Sequence, residues 1–363
     1  IERYFESKDN GRAYVELSKK YGITVKAINR LVRKYKSPDT LIDIIKANPY
    51  KLIGEAPGYS WARADAIALN GGLGMDSEPR CKAYASFLLM DEEESGGNLW
   101  TNINNLLTAV STECRPIADD KLVQYMKDLM TTDIEALSED EQRWIIDHPV
   151  SATLEYSGRV LPSLFYDRDG GKVGLLKSRL IEYHIAKEIK RLKNTYKPFD
   201  ISEEEIQTII RESEEKAGYA YTEEQKSAVM NTLRNPVSIL TGKAGCGKSS
   251  TVAAIVGIMK QKKLNINLCA LSGRASSKMT ELTGLEGVTI HRLLGLGAGD
   301  EGGTFTGREP HGKNNPLDTD LLVLDETSMV GSDLILAILE AIPDGGRLLM
   351  VGDIAQLESI DAG

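Results

Sequence analysis

The 363-residue sequence has few cysteines: four, at positions 81, 114, 246 and 269. They form no C-x-x-C pair and have no histidine at ligand spacing. That argues against a zinc ribbon or a disulfide framework and points to a reducing, cytoplasmic compartment. No apolar run is long enough to span a bilayer, so no membrane partner is expected. No secretory pattern opens the chain, which begins at Ile1 without a methionine and reads as a fragment or a processed form. Basic charge is not in excess either. Lys and Arg number 44 against 53 Asp and Glu, for a formal net charge of −9. Such a chain does not bind nucleic acid through bulk charge, and any DNA contact must come from local grooves. The rest, 41% hydrophobic and 27% charged, is ordinary globular composition with room for two or three domains.

The most informative stretch is Gly242-Lys243-Ala244-Gly245-Cys246-Gly247-Lys248-Ser249, which fits the phosphate-loop pattern G-x-x-x-x-G-K-[ST]. Gly242, Gly245 and Gly247 let the backbone curl so that successive N–H groups face one anion. Lys248 brings an ammonium to the outer phosphates of a nucleoside triphosphate, and Ser249 brings a hydroxyl to Mg2+. Residues 236–240 read as a buried strand before the loop and 250–260 as a helix after it. Phosphate would then sit at a helix N-terminus, beside Ser249 and Ser250. ATP with Mg2+ is the expected ligand.

Residues 1–75 read as helical, with apolar spacing over 13–20 and 25–36 broken at Tyr21-Gly22. That pair is either a helix-turn-helix or two helices that only pack. Asn48-Pro49-Tyr50 and a helix–turn–helix pattern centred on Pro57-Gly58 follow. The second pattern resembles a helix-hairpin-helix, in which turn amides near Gly58 hold a DNA phosphate. Ser60 stands where that motif has a second glycine, and a hairpin that only packs is the other reading. Over 76–216, helical segments are expected at 80–90, 99–110 and 121–130. A strand–turn–strand is expected from 159–161 and 172–174 around Asp167-Arg168-Asp169-Gly170-Gly171, then a long helix over 176–192 with His184 packed, and a helical connector over 193–215. Asp91-Glu92-Glu93-Glu94 reads as a solvated charge run. From 217 onward short apolar runs at 237–240, 266–271, 321–324 and 347–351 alternate with helical stretches, the pattern of a parallel α/β sheet.

The run at 321–324 ends in Asp325-Glu326. Downstream of a phosphate loop in one parallel sheet, such a pair faces the same crevice as the loop. Asp325 then holds Mg2+ and Glu326 orients and deprotonates the attacking water.

Here the sequence resembles the RecD-type helicases, the 5′→3′ branch of superfamily 1, in the subgroup with a long N-terminal region. Asp325-Glu326-Thr327-Ser328-Met329 is similar to their DExx box, Val351-Gly352-Asp353-Ile354-Ala355-Gln356-Leu357 to motif III, and Ala270-Leu271-Ser272-Gly273-Arg274-Ala275 to motif Ia. Thr289-Ile290-His291-Arg292-Leu293-Leu294-Gly295 is similar to the DNA-contacting motif that follows, and Thr222-Glu223-Glu224-Gln225 to the glutamine motif ahead of the loop. The resemblance implies a RecA-like P-loop motor domain at 217–363, preceded by a mainly helical region at 1–75 with the hairpin and another at 76–216. It implies that Gln225 reads adenine and that Gln356 senses the γ-phosphate. Single-stranded DNA would run along Ser272, Arg274, Thr289 and His291, with a duplex fork ahead of it. Recombination and repair are the processes it implies. Leu271 and Glu358 stand where the family has prolines, and the chain ends at Gly363 after motif III, before the second motor domain and its arginines. Residues 296–319, rich in Gly, Asn and Pro around Thr304-Phe305-Thr306, lie where the family carries a fork-splitting pin. Two other readings stay open: a relaxase-associated helicase domain, and a non-enzymatic ATP-dependent DNA-binding protein.

Overall fold

The computed structural model describes residues 2–53, 59–151, 154–243, 245–296 and 310–353. Gly58, Ala244, Gln356 and most of the expected pin, with Thr304-Phe305-Thr306, lie outside the described residues. The chain divides into two units, Ile1–Leu180 and Ile181–Gly363.

The first unit opens with α1 (Glu2–Lys19), α2 (Val25–Tyr35) and α3 (Pro38–Ala47), then a short 3-10 turn at Pro49–Leu52. Thr24 and Ser37 accept the N–H groups of Ala27 and Thr40 and so start α2 and α3, with Pro38 at the first helical position. Leu17, Ile28, Leu31, Leu41 and Ile45 meet in one core, so the apolar spacing of the first helices is spent on packing.

After α4 (Trp61–Asn70) and α5 (Glu78–Gly96), the core closes over a buried ion pair. The Arg80 guanidinium, 1% exposed, donates to both Asp65 carboxylate oxygens at 2.8 and 2.9 Å and to the carbonyls of Met75 and Glu113. The Tyr50 hydroxyl donates to Asp65 at 2.7 Å, and Trp61 stacks on Tyr50 with centroids 5.3 Å apart. One guanidinium therefore ties the 3-10 turn, α4 and α5 to the end of the next helix. Its donors are matched by oxygens, which is what makes a buried charge tolerable.

The unit continues through β1 (Thr101–Asn102), α6 (Ile103–Glu113), α7 (Asp119–Leu129), β2 (Met130–Thr131), α8 (Glu139–Asp147), β3 (Leu154–Tyr156), β4 (Arg159–Leu161), β5 (Leu164–Asp167) and β6 (Lys172–Leu175). The turn expected at 167–171 is present, but it joins β5 to β6. Arg159–Leu161 pairs instead with Leu154–Tyr156 in a separate ribbon. Pro162 and Ser163 break the chain between β4 and β5, and four residues of β5 are enough to complete the hairpin. In the acidic run, Glu93 accepts the Ser178 hydroxyl at 2.8 Å, so that side chain is not merely solvated. Cys81 and Cys114, distant in sequence, are both fully buried in the same core.

The division into units falls inside α9 (Leu176–Thr195). Arg191 on α9 reaches Asp344 and the carbonyls of Leu339 and Ile342. The buried Arg347 guanidinium lies 3.3 Å from the Phe199 ring centroid and donates to the Lys197 carbonyl at 2.6 Å. The stretch read as a connector is thus knitted into the second unit: it leaves the helix after Thr195 and returns as α10 (Glu203–Ala217), whose Ile206, Ile209 and Ile210 enter the core.

Next come α11 (Glu223–Arg234), β7 (Val237–Thr241), α12 (Lys248–Gln261), β8 (Ile266–Ala270), α13 (Gly273–Thr283), β9 (Gly287–Thr289), α14 (Ile290–Leu294), β10 (Leu321–Asp325), α15 (Ser332–Ala341) and β11 (Arg347–Gly352). The five strands form a parallel sheet in the order β7-β11-β10-β8-β9. Side chains alternate across it. Leu321, Val323, Leu349 and Val351 join α10–α13 on one face, while Leu322, Leu324 and Leu348 join α14 and α15 on the other. Fully burying each such side chain stabilises the fold by roughly 1.5–3 kcal/mol. Past the undescribed stretch, the His311 N–H donates to the Leu294 carbonyl and Leu317 is buried against α15. Among the described residues no helix is long and apolar enough to cross a membrane.

Arg80→Met should lower the unfolding free energy by about 3–5 kcal/mol, the range for breaking a buried pair from one side. Adding Asp65→Asn should recover part of that, because no unpaired buried carboxylate remains; Glu113, also paired with Arg80, is 40% exposed and meets water. Denaturant titration of the full chain checks both; a single variant as stable as wild type contradicts the assignment.

Candidate nucleotide and DNA site

In the parallel register, Thr241 on β7 lies opposite Gly352 on β11, and Asp325 on β10 opposite Ala270 on β8, which in turn faces Thr289 on β9. All five strands therefore end at one edge, where an open α/β sheet keeps its crevice.

At β7 the loop turns through Gly245 (φ 80°) and Gly247 (φ 87°) into α12. Only glycine takes these angles without strain. At Gly247 a Cβ would also collide with the Gln225 side-chain amide. The first N–H groups of α12 have no helical acceptor and point out of the loop, a ready anion site. Lys248 folds back here: its ammonium donates to the carbonyl of Gly242 and, at 3.2 Å, to that of Lys243, and lies 4.0 Å from the buried Asp353 carboxylate. Asp353 belongs to the motif III stretch, but nothing in the sequence marked it as a partner of the loop lysine. Ser249 and Ser250 stand in the first turn of α12. Cys246 is exposed in the loop, whereas burial pushes the Cys269 thiol on β8 up to about 12.

Gln225 sits at the third position of α11 in a capping box. It accepts the Thr222 N–H at 2.9 Å while Thr222 caps Gln225. Its amide nitrogen is 3.5 Å from the carbonyls of Cys246 and Gly247. The glutamine thus joins the start of α11 to the loop.

On β10, burial raises the Asp325 carboxyl above its ordinary range; the Glu326 N–H, at 2.9 Å, and the Lys278 and Lys248 charges pull the other way. Glu326 holds a left-handed backbone (φ 53°, ψ 41°), rare for a residue with a side chain and a form of strain that gathers at functional sites. Among the described residues no cluster of three or more His, Cys, Asp or Glu makes a protein-only metal cage. An ion that keeps waters and phosphates as ligands does not need one. A serine hydroxyl and one half-buried carboxylate fit Mg2+ carried in with a nucleotide, and the loop amides fit its phosphates.

Beyond β10 the residues expected to meet DNA come together. Ser272 caps α13 after β8, and Thr289 caps α14 after β9, each through its hydroxyl. Arg274 and His291 are exposed in the first turns of those helices. The strand order therefore places the loop after β7 and the acidic pair at the end of β10 on one stretch of the edge, and the expected DNA residues at the ends of β8 and β9 on the next.

Two family models match the chain: the helix-hairpin-helix (HHH) domain of the ATP-dependent RecD2 DNA helicase over residues 7–100, and an AAA domain over 225–362. These two matches support a RecD-type helicase with an N-terminal helix-hairpin-helix region. The ATP-dependent RecD2 DNA helicase of Deinococcus radiodurans is 40% identical over 148 residues, 41% of this chain and 20% of that one. The RecBCD enzyme subunit RecD of Haemophilus influenzae is 31% identical over 210 residues, 50% of this chain and 31% of its own. An uncharacterized protein of Methanocaldococcus jannaschii aligns with all of this chain at 24% identity, over 32% of its length. The chain thus spans between 20% and 32% of the length of these RecD-type and related proteins. The HHH match accords with the helical first unit, and the AAA match with the parallel sheet.

Asp325 also makes a pH-dependent contribution to stability. Its folded-state carboxyl holds a proton to higher pH than in the unfolded chain, so ionising it opposes folding. The penalty is absent below the ordinary value of 3.8 and grows as pH rises through the raised one. Asp325→Asn should therefore melt above wild type at pH 7 without nucleotide, with the difference fading as pH falls toward 3.8. Melting curves across that range decide it; a variant less stable at pH 7 contradicts the burial cost.

Proposed function

We propose that the chain carries the N-terminal region and first motor domain of an ATP-dependent DNA helicase that moves 5′→3′ on single-stranded DNA and opens duplex ahead of it. The observation that carries this reading is the shared strand edge, with the 242–249 loop, Asp325 and Glu326 on one stretch and Ser272, Arg274, Thr289 and His291 on the next. The RecD names of the relatives support it.

In this reading the loop amides from Gly242 to Ser250 hold the phosphates of ATP, and Lys248 exchanges the Gly242 and Lys243 carbonyls for phosphate oxygens. The exchange is easy because both partner sets are oxygens that Lys248 meets without leaving the loop. Ser249 and Asp325 would hold Mg2+, which when bound neutralises phosphate charge. Glu326 orients water and takes its proton, and its strained backbone keeps that carboxylate at the strand end. Gln225 faces the adenine, and Gln356 follows the γ-phosphate. Hydroxyls, the Arg274 guanidinium and the His291 imidazole contact DNA without reading bases, which suits a motor that must accept any sequence. The pin at 296–319 meets the fork. The buried Asp353 beside Lys248 directly follows β11, one route by which phosphate state reaches the other strand ends.

Titration calorimetry tests the nucleotide half. Lys248→Ala should weaken Mg-ATP binding at least about tenfold, since it removes the main cationic phosphate contact, while Glu326→Gln should leave binding nearly unchanged. Equal affinity of the Lys248 variant and wild type rejects the site.

A further inference from the structure

We propose that Tyr219 is the base-side wall of the nucleotide site, an aromatic face against which the nucleobase and ribose settle; this rests on the ATP reading above. α10 ends at Ala217, capped by Gly218, and a four-residue strap leads to α11. Two tyrosines on this strap divide the work. Tyr221 is buried; its N–H donates to the Glu214 carboxylate at 2.8 Å and its hydroxyl to the Ser250 carbonyl at 3.3 Å. It fixes the strap to α10 and α12. Tyr219 reaches the same serine from a more open position. It is 49% exposed, yet its hydroxyl lies 2.5 Å from the Ser250 hydroxyl in the first turn of the phosphate-loop helix. The two rings are 6.0 Å apart and tilted by 48°, so the buried ring backs the exposed one.

A large aromatic surface is thus left to solvent while its polar end is tethered one residue beyond Ser249. A phosphate chain held by the loop leaves it past the start of the following helix, so the sugar and base emerge beside Ser250. An aromatic face there offers stacking, which is tolerant of base identity, and the tether has already removed much of the ring's freedom. Gln225, four residues beyond Tyr221 in the same stretch, supplies an amide for the base edge. No sequence motif marks Tyr219; only its place before the Thr222-Gln225 capping box brings it to the loop.

The test uses the full chain, with Mg-ADP and magnesium tripolyphosphate as probes in calorimetry. Wild type should bind both. Tyr219→Ala should bind ADP about tenfold more weakly, in the range for loss of one base–aromatic stack, and tripolyphosphate as before. Tyr219→Trp should keep ADP affinity. Its added tryptophan emission should be quenched by ADP but not by tripolyphosphate; wild type, whose tryptophans 61, 100 and 144 all lie in the first unit, gives the background. Unchanged ADP affinity in the alanine variant, or equal quenching by both probes, overturns the assignment while leaving the phosphate site standing. A wild-type chain that binds neither probe overturns the ATP reading and this proposal with it.

Discussion

Five parallel strands that end in register are the constraint on which the second unit depends. Parallel pairing slants the hydrogen bonds evenly and needs a crossover after every strand, so each strand's last residue is followed by a turn into another element. Here those turns are the phosphate loop, the Asp325-Glu326 corner and the caps of α13 and α14. The candidate site residues are together because backbone pairing puts the strand ends together. The burial that locks the register also sets the electrostatics: β10, apolar on both faces, carries Asp325 into a setting where ionisation is costly unless a cation meets it.

The first unit rests on a different device. The Arg80–Asp65 pair joins segments far apart in sequence through directional bonds. Trp61 stacks on Tyr50 within this knot, so the Asn48-Pro49-Tyr50 stretch is anchored through Tyr50.

Much of the second unit was legible because its signals are local. The loop pattern, the apolar runs and the acidic pair each lie within a few residues, and parallel α/β logic links them. Thr222-x-x-Gln225 shows how two signals share one spelling: the spacing that resembles a glutamine motif is also a capping box, and the structure uses it to hold Gln225 against the loop. What could not be read is non-local. β9 has only three residues, one of them glycine, too short for an alternating pattern. The pairing of Asp65 with Arg80 and the meeting of Cys81 with Cys114 depend on tertiary packing and leave no spacing signature. The turn at 167–171 was visible, but its first strand was not, since β4 and β5 are both short and β-prone. The stretch at 193–215 reads as a connector because it is rich in Lys and Glu, yet Ile206, Ile209 and Ile210 fall on one helical face and reach the core.

The account turns on Lys248, which here rests on oxygens of its own loop beside Asp353. A crystal structure of the chain with Mg-ADP tests it most directly. The account predicts phosphates within the 242–249 loop, with the Lys248 ammonium moved from the Gly242 and Lys243 carbonyls onto a phosphate oxygen. Nucleotide bound elsewhere, or phosphates in the loop with Lys248 still on those carbonyls, would contradict it.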